Sequence, residues 1–285
     1  MGQLAQTTQG NRMQRLDPSR ELKELVRRSW PQIQRVIGNN LDPDTLLQYC
    51  ISAINREPAL AECTPVSVLS CFMQCAALGL KPSNVDGLGQ AYILPYGNKK
   101  SKTGQKDATF IIGFKGMLRL LENSGMYAHP RAVYKDDGVT LTLDADGNPV
   151  INCPESVNLD ADHSDANLSF VYVSIFHSGG ERIRSDYMSA KDLIAYRDRF
   201  APRSRFHDNQ ITGPWATDFV SMGLKTLIRR MFKYLPVTVE AKRSTVVDET
   251  TPDYGDVFHP VIDAEPASEP TEAITPATEP QEESK

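Results

Sequence analysis

The strongest constraint on how this chain folds is a change of composition after Arg243. Between Ser244 and Lys285 eleven acidic residues stand against a single lysine, amid many Pro, Thr and Ala. A stretch so charged and so poor in large apolar side chains cannot bury enough surface to offset the entropy of ordering it, so residues 244–285 are expected to form a disordered acidic tail. Residues 1–19 read as a flexible N-terminus. That leaves residues 20–243 as one main domain, long enough to bury one sizeable core. The tail carries a net charge of −10 within a chain at −5, so the body stands at +5 and the sequence pI of about 5.6 conceals a basic domain. A basic body points to an anionic partner, for which the tail is expected to compete.

The first 14 residues, MGQLAQTTQGNRMQ, contain no apolar run of the signal-peptide kind, and no later stretch approaches the 18 or so continuous apolar residues of a membrane span. A cytoplasmic protein without membrane contact is expected. The odd set Cys50, Cys63, Cys71, Cys75 and Cys153 suits reduced, packed thiols better than a disulfide framework. Signatures of enzymatic chemistry are sparse. There is no GxxxxGKS/T phosphate loop, Gly87-Leu88-Gly89 is too short for a dinucleotide fingerprint, and the histidines show neither HxxxH nor HxH spacing. No cofactor and no catalytic residue is expected. The aspartates between 136 and 186 keep a metal-dependent nuclease open as an alternative, because metal-assisted phosphodiester hydrolysis needs clustered carboxylates. DADGN (144–148) and DADHSD (160–165) read more simply as turn sequences.

Apolar residues recur at helical spacing over 20–37, with Pro31 expected to break or kink the run, and a second helix is expected over 43–56 behind Asp42. The Leu, Val, Trp and Ile stripe here is either core or a surface for a neighbouring subunit. Thr64 and Pro65 supply a start, and Gly79 a stop, for a third helix buried on most of its circumference. Between 89 and 114 the pattern changes to QAYILPYG, a lysine-rich NKKSKTGQK, and DATFIIGF, which reads as a β-hairpin with a basic loop. A helix over 115–124 follows, then strands at 129–134, 139–143, 168–176 and 181–187, and helices at 190–200 and 215–234. The fold class is α+β: a β-sheet core with a hairpin and packed helices, flanked by N-terminal helices and the acidic tail.

Two segments concentrate positive charge. At 100° per residue Lys225, Arg229 and Lys233 share one face of the last helix with Arg230 beside them, while Val220, Leu224, Leu227, Met231 and Leu235 lie opposite. No acidic residue follows Asp218 within that helix, so the local partners that neutralise surface cations are missing and an anionic ligand is favoured over an ordinary solvated face. The hairpin sets Lys99, Lys100, Lys102 and Lys106 among Tyr92, Tyr96, Phe110 and Phe114. Cations interleaved with aromatics suit single-stranded nucleic acid, whose phosphates need positive charge and whose unpaired bases offer faces for stacking. Lysines that keep a strand edge soluble are the plainer explanation. Lys115, Arg119 and Arg131 add charge just beyond the hairpin.

The runs LGLKP, GQAYILPYGNK, FIIGFKGMLRL, GPW and KTLIRRMFKYLP, in this order, resemble the RecT family of phage and prophage recombinases over roughly residues 21–240, with the acidic C-terminus outside the shared pattern. The resemblance implies a protein that binds single-stranded DNA, anneals complementary strands and promotes ATP-independent strand exchange in homologous recombination. As partners it implies single-stranded DNA and the annealed duplex, further copies of the chain in a ring or helical filament, a phage exonuclease and, in the bacterial host's cytoplasm, a single-strand-binding protein. Carried onto this chain, the family's hairpin corresponds to 90–114, its Gly-aromatic-basic-Gly turn to Gly113, Phe114, Lys115 and Gly116, and its basic helix to 215–234. Relatives often carry a Lys where this chain has Leu224. The expected interface is one groove built from Tyr96, Lys99, Lys100 and Lys106, from Phe114, Lys115, Arg119 and Arg131, and from Lys225, Arg229, Arg230 and Lys233. It would hold phosphates and leave base edges free for pairing. A DNA-binding scaffold that does not anneal is the remaining alternative.

Overall fold

Prolines and acids start the N-terminal helices where the sequence places them. α1 (Pro18–Gln34) begins on Asp17, whose carboxylate accepts the Ser19 N–H at 3.1 Å, and α2 (Pro43–Arg56) begins on Asp42, which accepts the Thr45 N–H at 2.7 Å. In this computed structural model the described residues are 17–38, 41–82, 89–97, 104–204, 208–239, 241–242, 246, 248 and 250–263. The first helix thus starts inside the stretch expected to be flexible. Pro31 lies within α1 and does not end it: the residue is exposed and close to the C-terminal end, so the one hydrogen bond it forfeits faces solvent. Leu22, Leu25, Val26, Trp30 and Ile33 are buried within the chain, which makes the stripe core and not a free subunit surface.

α3 (Pro65–Leu78) is buried on nearly every side and stops at Gly79, whose φ of +65° lets the Leu80 N–H turn back to the Cys75 carbonyl at 3.0 Å. Thr64 holds the cap position, but its hydroxyl donates to Asp107 at 2.6 Å, tying the start of α3 to the hairpin. Burial pushes the thiols of Cys50, Cys71 and Cys75 well up and that of Cys63 to about 11, so all four stay protonated and inert at neutral pH.

The hairpin pairs β1 (Ala91–Gly97) with β2 (Lys106–Ile112), Ala91 opposite Ile112 and Gly97 opposite Lys106. Alternation sends Ala91, Ile93, Ala108, Phe110 and Ile112 into the core. α4 (Phe114–Asn123) leads into a separate antiparallel sheet of β3 (Met126–Tyr134), β6 (Leu168–His177) and β7 (Arg182–Ser189), with β6 central. Val171, Val173 and Ile175 of β6 join the main core on one face. On the other face, a small two-stranded ribbon of β4 (Thr140–Leu143) and β5 (Pro149–Asn152) covers Val133, Phe170 and Tyr172. β5 escaped the sequence reading because its four residues, PVIN, begin on a proline and show no apolar–polar alternation.

α5 (Ala190–Phe200) follows β7 directly. The single helix expected over 215–234 is interrupted: α6 (Pro214–Thr217) ends at Asp218, a poor interior helix former that is extended here (φ −149°, ψ 60°), α7 (Phe219–Met231) follows, and Phe232–Tyr234 is a 3₁₀ turn. α7 lies against the core face of the sheet. A Cβ added at Gly223 would stand 3.0 Å from Leu193 and 3.6 Å from Val171, so a small residue is what permits this approach.

Composition placed the tail boundary too early. Thr250 accepts the Phe110 N–H at 2.8 Å, the Tyr254 hydroxyl donates to Gln74 at 2.8 Å, and α8 (Gly255–Ile262) inserts Phe258, fully buried, beside α1 and α3. A few apolar residues spaced among acids suffice to dock when a cleft in the body receives them. Residues 264–285 of the expected tail lie outside the described residues. No helix among the described residues is long and apolar enough to cross a membrane.

Candidate nucleic-acid interface

The GFKG turn explains itself sterically. A Cβ at Gly113 would sit 1.8 Å from the Gly89 carbonyl oxygen, and one at Gly116 2.0 Å from that of Gln90, both impossible contacts. With no side chain at either position the backbones close up, the Gly113 N–H donates to the Gln90 carbonyl at 2.9 Å, and α4 starts directly against the entry to β1. Lys115 emerges exposed from this junction, while Phe114 is partly buried against the core. Beside it opens a cleft of about 550 Å³ between the start of α2, the end of α3 and α4, lined by Lys81, Lys115 and Arg119 and by Asp42 and Glu122. Arg119 pairs with Glu122 at 3.0 Å on the surface, and hydrogen bonds from Thr45 hold the Asp42 carboxyl below the usual carboxylate range. Lys81 was not singled out from sequence, although it stands in the LGLKP run. Its backbone N–H donates to the Gln90 side chain at 3.0 Å, and its ammonium lies 5.1 Å from the Tyr49 ring centre.

The α7 cations do not form the open face expected of them. Lys225 is buried, with 7% of its side chain exposed, and lies 3.4 Å from the fully buried carboxylate of Asp248; Arg229 donates to the same carboxylate at 2.9 Å. Asp248 also accepts the Ile112 N–H at 2.7 Å, so one carboxylate joins α7, β2 and the C-terminal segment. Arg230 pairs with Asp186 at 2.8 Å and donates to the Tyr187 carbonyl at 2.8 Å. The missing acidic partners are supplied from 19 to 44 residues away, beyond the reach of any local spacing rule. Lys233 alone of the four is exposed without a carboxylate partner among the described residues. The arc opposite behaves as expected, with Leu224, Leu227, Met231 and Leu235 buried and Val220 partly so.

The other candidates disperse. Tyr96 is 52% exposed near the end of β1, and Lys106 pairs with Glu62 at 2.6 Å, while Lys99 and Lys100 lie outside the described residues. Arg131 stands opposite Tyr172 on the sheet face turned away from α7 and donates to the Cys153 sulfur at 3.0 Å, so the sheet separates it from the other cations. One groove uniting all these residues is therefore not what the fold builds. Four of the aspartates open to a nuclease reading are engaged by groups of the chain itself. Asp144 accepts the Asp146 and Asn148 N–H groups and pairs with Arg182, Asp162 accepts from Ser164, Asp136 from Asn167, and Asp137 from Tyr134 and His163. Asp137, Asp144 and Asp162 have carboxyls held below their ordinary range, led in each case by a backbone hydrogen bond.

A model of the RecT family matches residues 44–262, and "Protein RecT" of Escherichia coli (strain K12) is 32% identical over 252 residues, 87% of each chain. No solved structure matches. The chain belongs to the RecT family, a family of annealing proteins acting in DNA recombination. The match runs to residue 262, the end of α8, so the shared region reaches past the Glu240 limit drawn from sequence.

Proposed function

We propose that this protein binds single-stranded DNA through its backbone, anneals complementary strands and promotes strand exchange without ATP. Family membership across residues 44–262 carries the reading, because that span contains both the GFKG junction and α7. The cations lining the α4 cleft, Lys115 and Arg119 with Lys81, are the first phosphate contacts, extended by Lys233 and by the hairpin with Tyr96, Lys99 and Lys100. Lys225, Arg229 and Arg230 act one step back, holding α7, β7 and the C-terminal strap in place. No side chain needs to act as acid, base or nucleophile, since base pairing itself supplies the free energy of annealing. Copies of the chain assembled side by side would align such clefts along a strand, which a phage exonuclease would expose and a host single-strand-binding protein would otherwise coat.

Mixing the purified protein with labelled complementary oligonucleotides, with EDTA or Mg²⁺ and without nucleotide, tests this. Faster annealing without shortening of either strand is expected. Shortening that requires Mg²⁺ would revive the nuclease, and binding without annealing would leave a scaffold.

A further inference from the structure

The sheet face turned away from α7 carries a feature the annealing mechanism has not used. Tyr127 and Phe176 are directly opposite across β3 and β6, their rings 5.4 Å apart and within 14° of parallel, and His129 closes on both at 5.3 and 5.2 Å. The main core lies on the other face, and the β4–β5 ribbon packs on Val133, Phe170 and Tyr172 further along the sheet, so this cluster stays at the surface, with His129 exposed and the two other rings partly so. Beside it a cleft of about 780 Å³ runs under the ribbon, lined by His129, Phe176 and Tyr172 and flanked by Arg131 and Arg182. Arg131 is exposed and donates to the Cys153 sulfur, and Arg182 pairs with Asp144 at 2.9 Å. Its floor is satisfied internally, since the Ser174 hydroxyl meets those of Tyr172 and Ser185 at 2.8 and 3.0 Å.

We infer that this face is a second nucleic-acid site, in which Tyr127, His129 and Phe176 stack unpaired bases while Arg131 and Arg182 hold the adjoining phosphates. The inference rests on the single-strand-binding reading. Aromatic rings on an exposed sheet face offer flat surfaces to any base, which gives binding without sequence preference, and two guanidiniums at the rim complement a polyanion. The chemistry differs from that of the α4 cleft, which offers cations without a comparable ring cluster among the described residues. It therefore suits a strand held by its bases, on the opposite side of the sheet from α7.

The test compares oligothymidylate with an abasic strand of equal length, on the full-length parent and on the double variant His129→Ala with Phe176→Leu, which keeps an apolar side chain in the sheet. The parent is expected to prefer the base-bearing strand. The variant should lose that preference by about fivefold or more, while its affinity for the abasic strand and its salt dependence stay unchanged. An unchanged preference would overturn the site and leave the backbone-binding reading intact, whereas failure of the parent to bind either strand would overturn both. Should the double variant melt early, ultraviolet cross-linking of iodouracil-substituted oligothymidylate to the parent decides the question. Adducts on residues 127–131 or 174–177 support the site, and adducts confined to other peptides sink it.

Discussion

α4 and α7 look alike in sequence and differ in what their cations do. Each sets basic residues four apart, Lys115 and Arg119 in one, Lys225 and Arg229 in the other, and each has apolar side chains on the reverse face. On α4 these cations reach a surface cleft, where the exposed Glu122 pairs with Arg119 and no other carboxylate pairs with either among the described residues. On α7 two of them converge on Asp248, buried 19 residues beyond Arg229, and the third is fastened to β7. A charge pattern thus fixes which way a helix face points; whether that face meets solvent, ligand or another part of the chain depends on contacts far off in sequence. Cations on α4 line an open cleft, and those on α7 tie the fold together.

The largest effect should come from Asp248. Asp248→Ala removes the buried carboxylate shared by the Lys225 ammonium and the Arg229 guanidinium and strips the Ile112 N–H of its acceptor, so a loss of about 3–5 kcal/mol is expected by chemical denaturation. Truncation after Arg243 should do at least as much damage, because it also removes Phe258. If either variant melts like the parent, the contrast between the helices collapses and the α7 cations return as candidates for DNA.

Gly116→Ala should follow, at about 3 kcal/mol, the upper end of what overpacking costs, because the added methyl meets the Gln90 carbonyl and not a pliable side chain. Such a loss would show that the α4 cleft is held by backbone contact. A stable Gly116→Ala protein that still binds oligonucleotides would mean the GFKG junction is looser than its geometry indicates. Arg229→Ala comes third, at about 1.5–3 kcal/mol for a hydrogen bond to a buried charge, since Lys225 remains to compensate Asp248 in part. Combined with Asp248→Ala it should cost much less than the sum, and strict additivity would deny the pair any coupling.

Much of the architecture was legible because local signals and tertiary structure agreed. Asp42 and Pro43 start α2 where expected, Gly79 ends α3, and the apolar arc of α7 is the arc that packs. Three errors share a cause. Asp248 gives no local sign that it will meet Lys225, the docking of Phe258 depends on α1 and α3, which lie 180 or more residues earlier, and Arg131 falls on the far side of a sheet whose strand order the sequence does not state. Lys81 was legible and overlooked: it stands in a run quoted for its likeness to the family, but a lone lysine after a helix stop carries no periodicity to draw attention. The glycines of GFKG were recognised as a motif, yet their purpose, contact with the backbone at 89–90, is visible only in three dimensions.

The smallest expected change in stability is also the most informative about binding. Lys115→Ala should stay within about 0.5 kcal/mol of the parent, since the side chain is exposed and no carboxylate holds it among the described residues. If Lys115 meets a phosphate, single-strand affinity should fall on oligonucleotides of any sequence, and the slope of log K against log salt should shrink by about 0.7, the share of one contact on a single strand. Lys233→Ala offers the same measurement just past α7, where this cation is exposed without a carboxylate partner among the described residues. Loss of slope in Lys115→Ala alone would place the strand along the α4 cleft, and loss in both would carry it on to the last turn of the basic helix. A slope unmoved in both, with stability intact, would mean the strand's phosphates lie elsewhere, and the distinction between binding cations and holding cations would have to be redrawn around the hairpin.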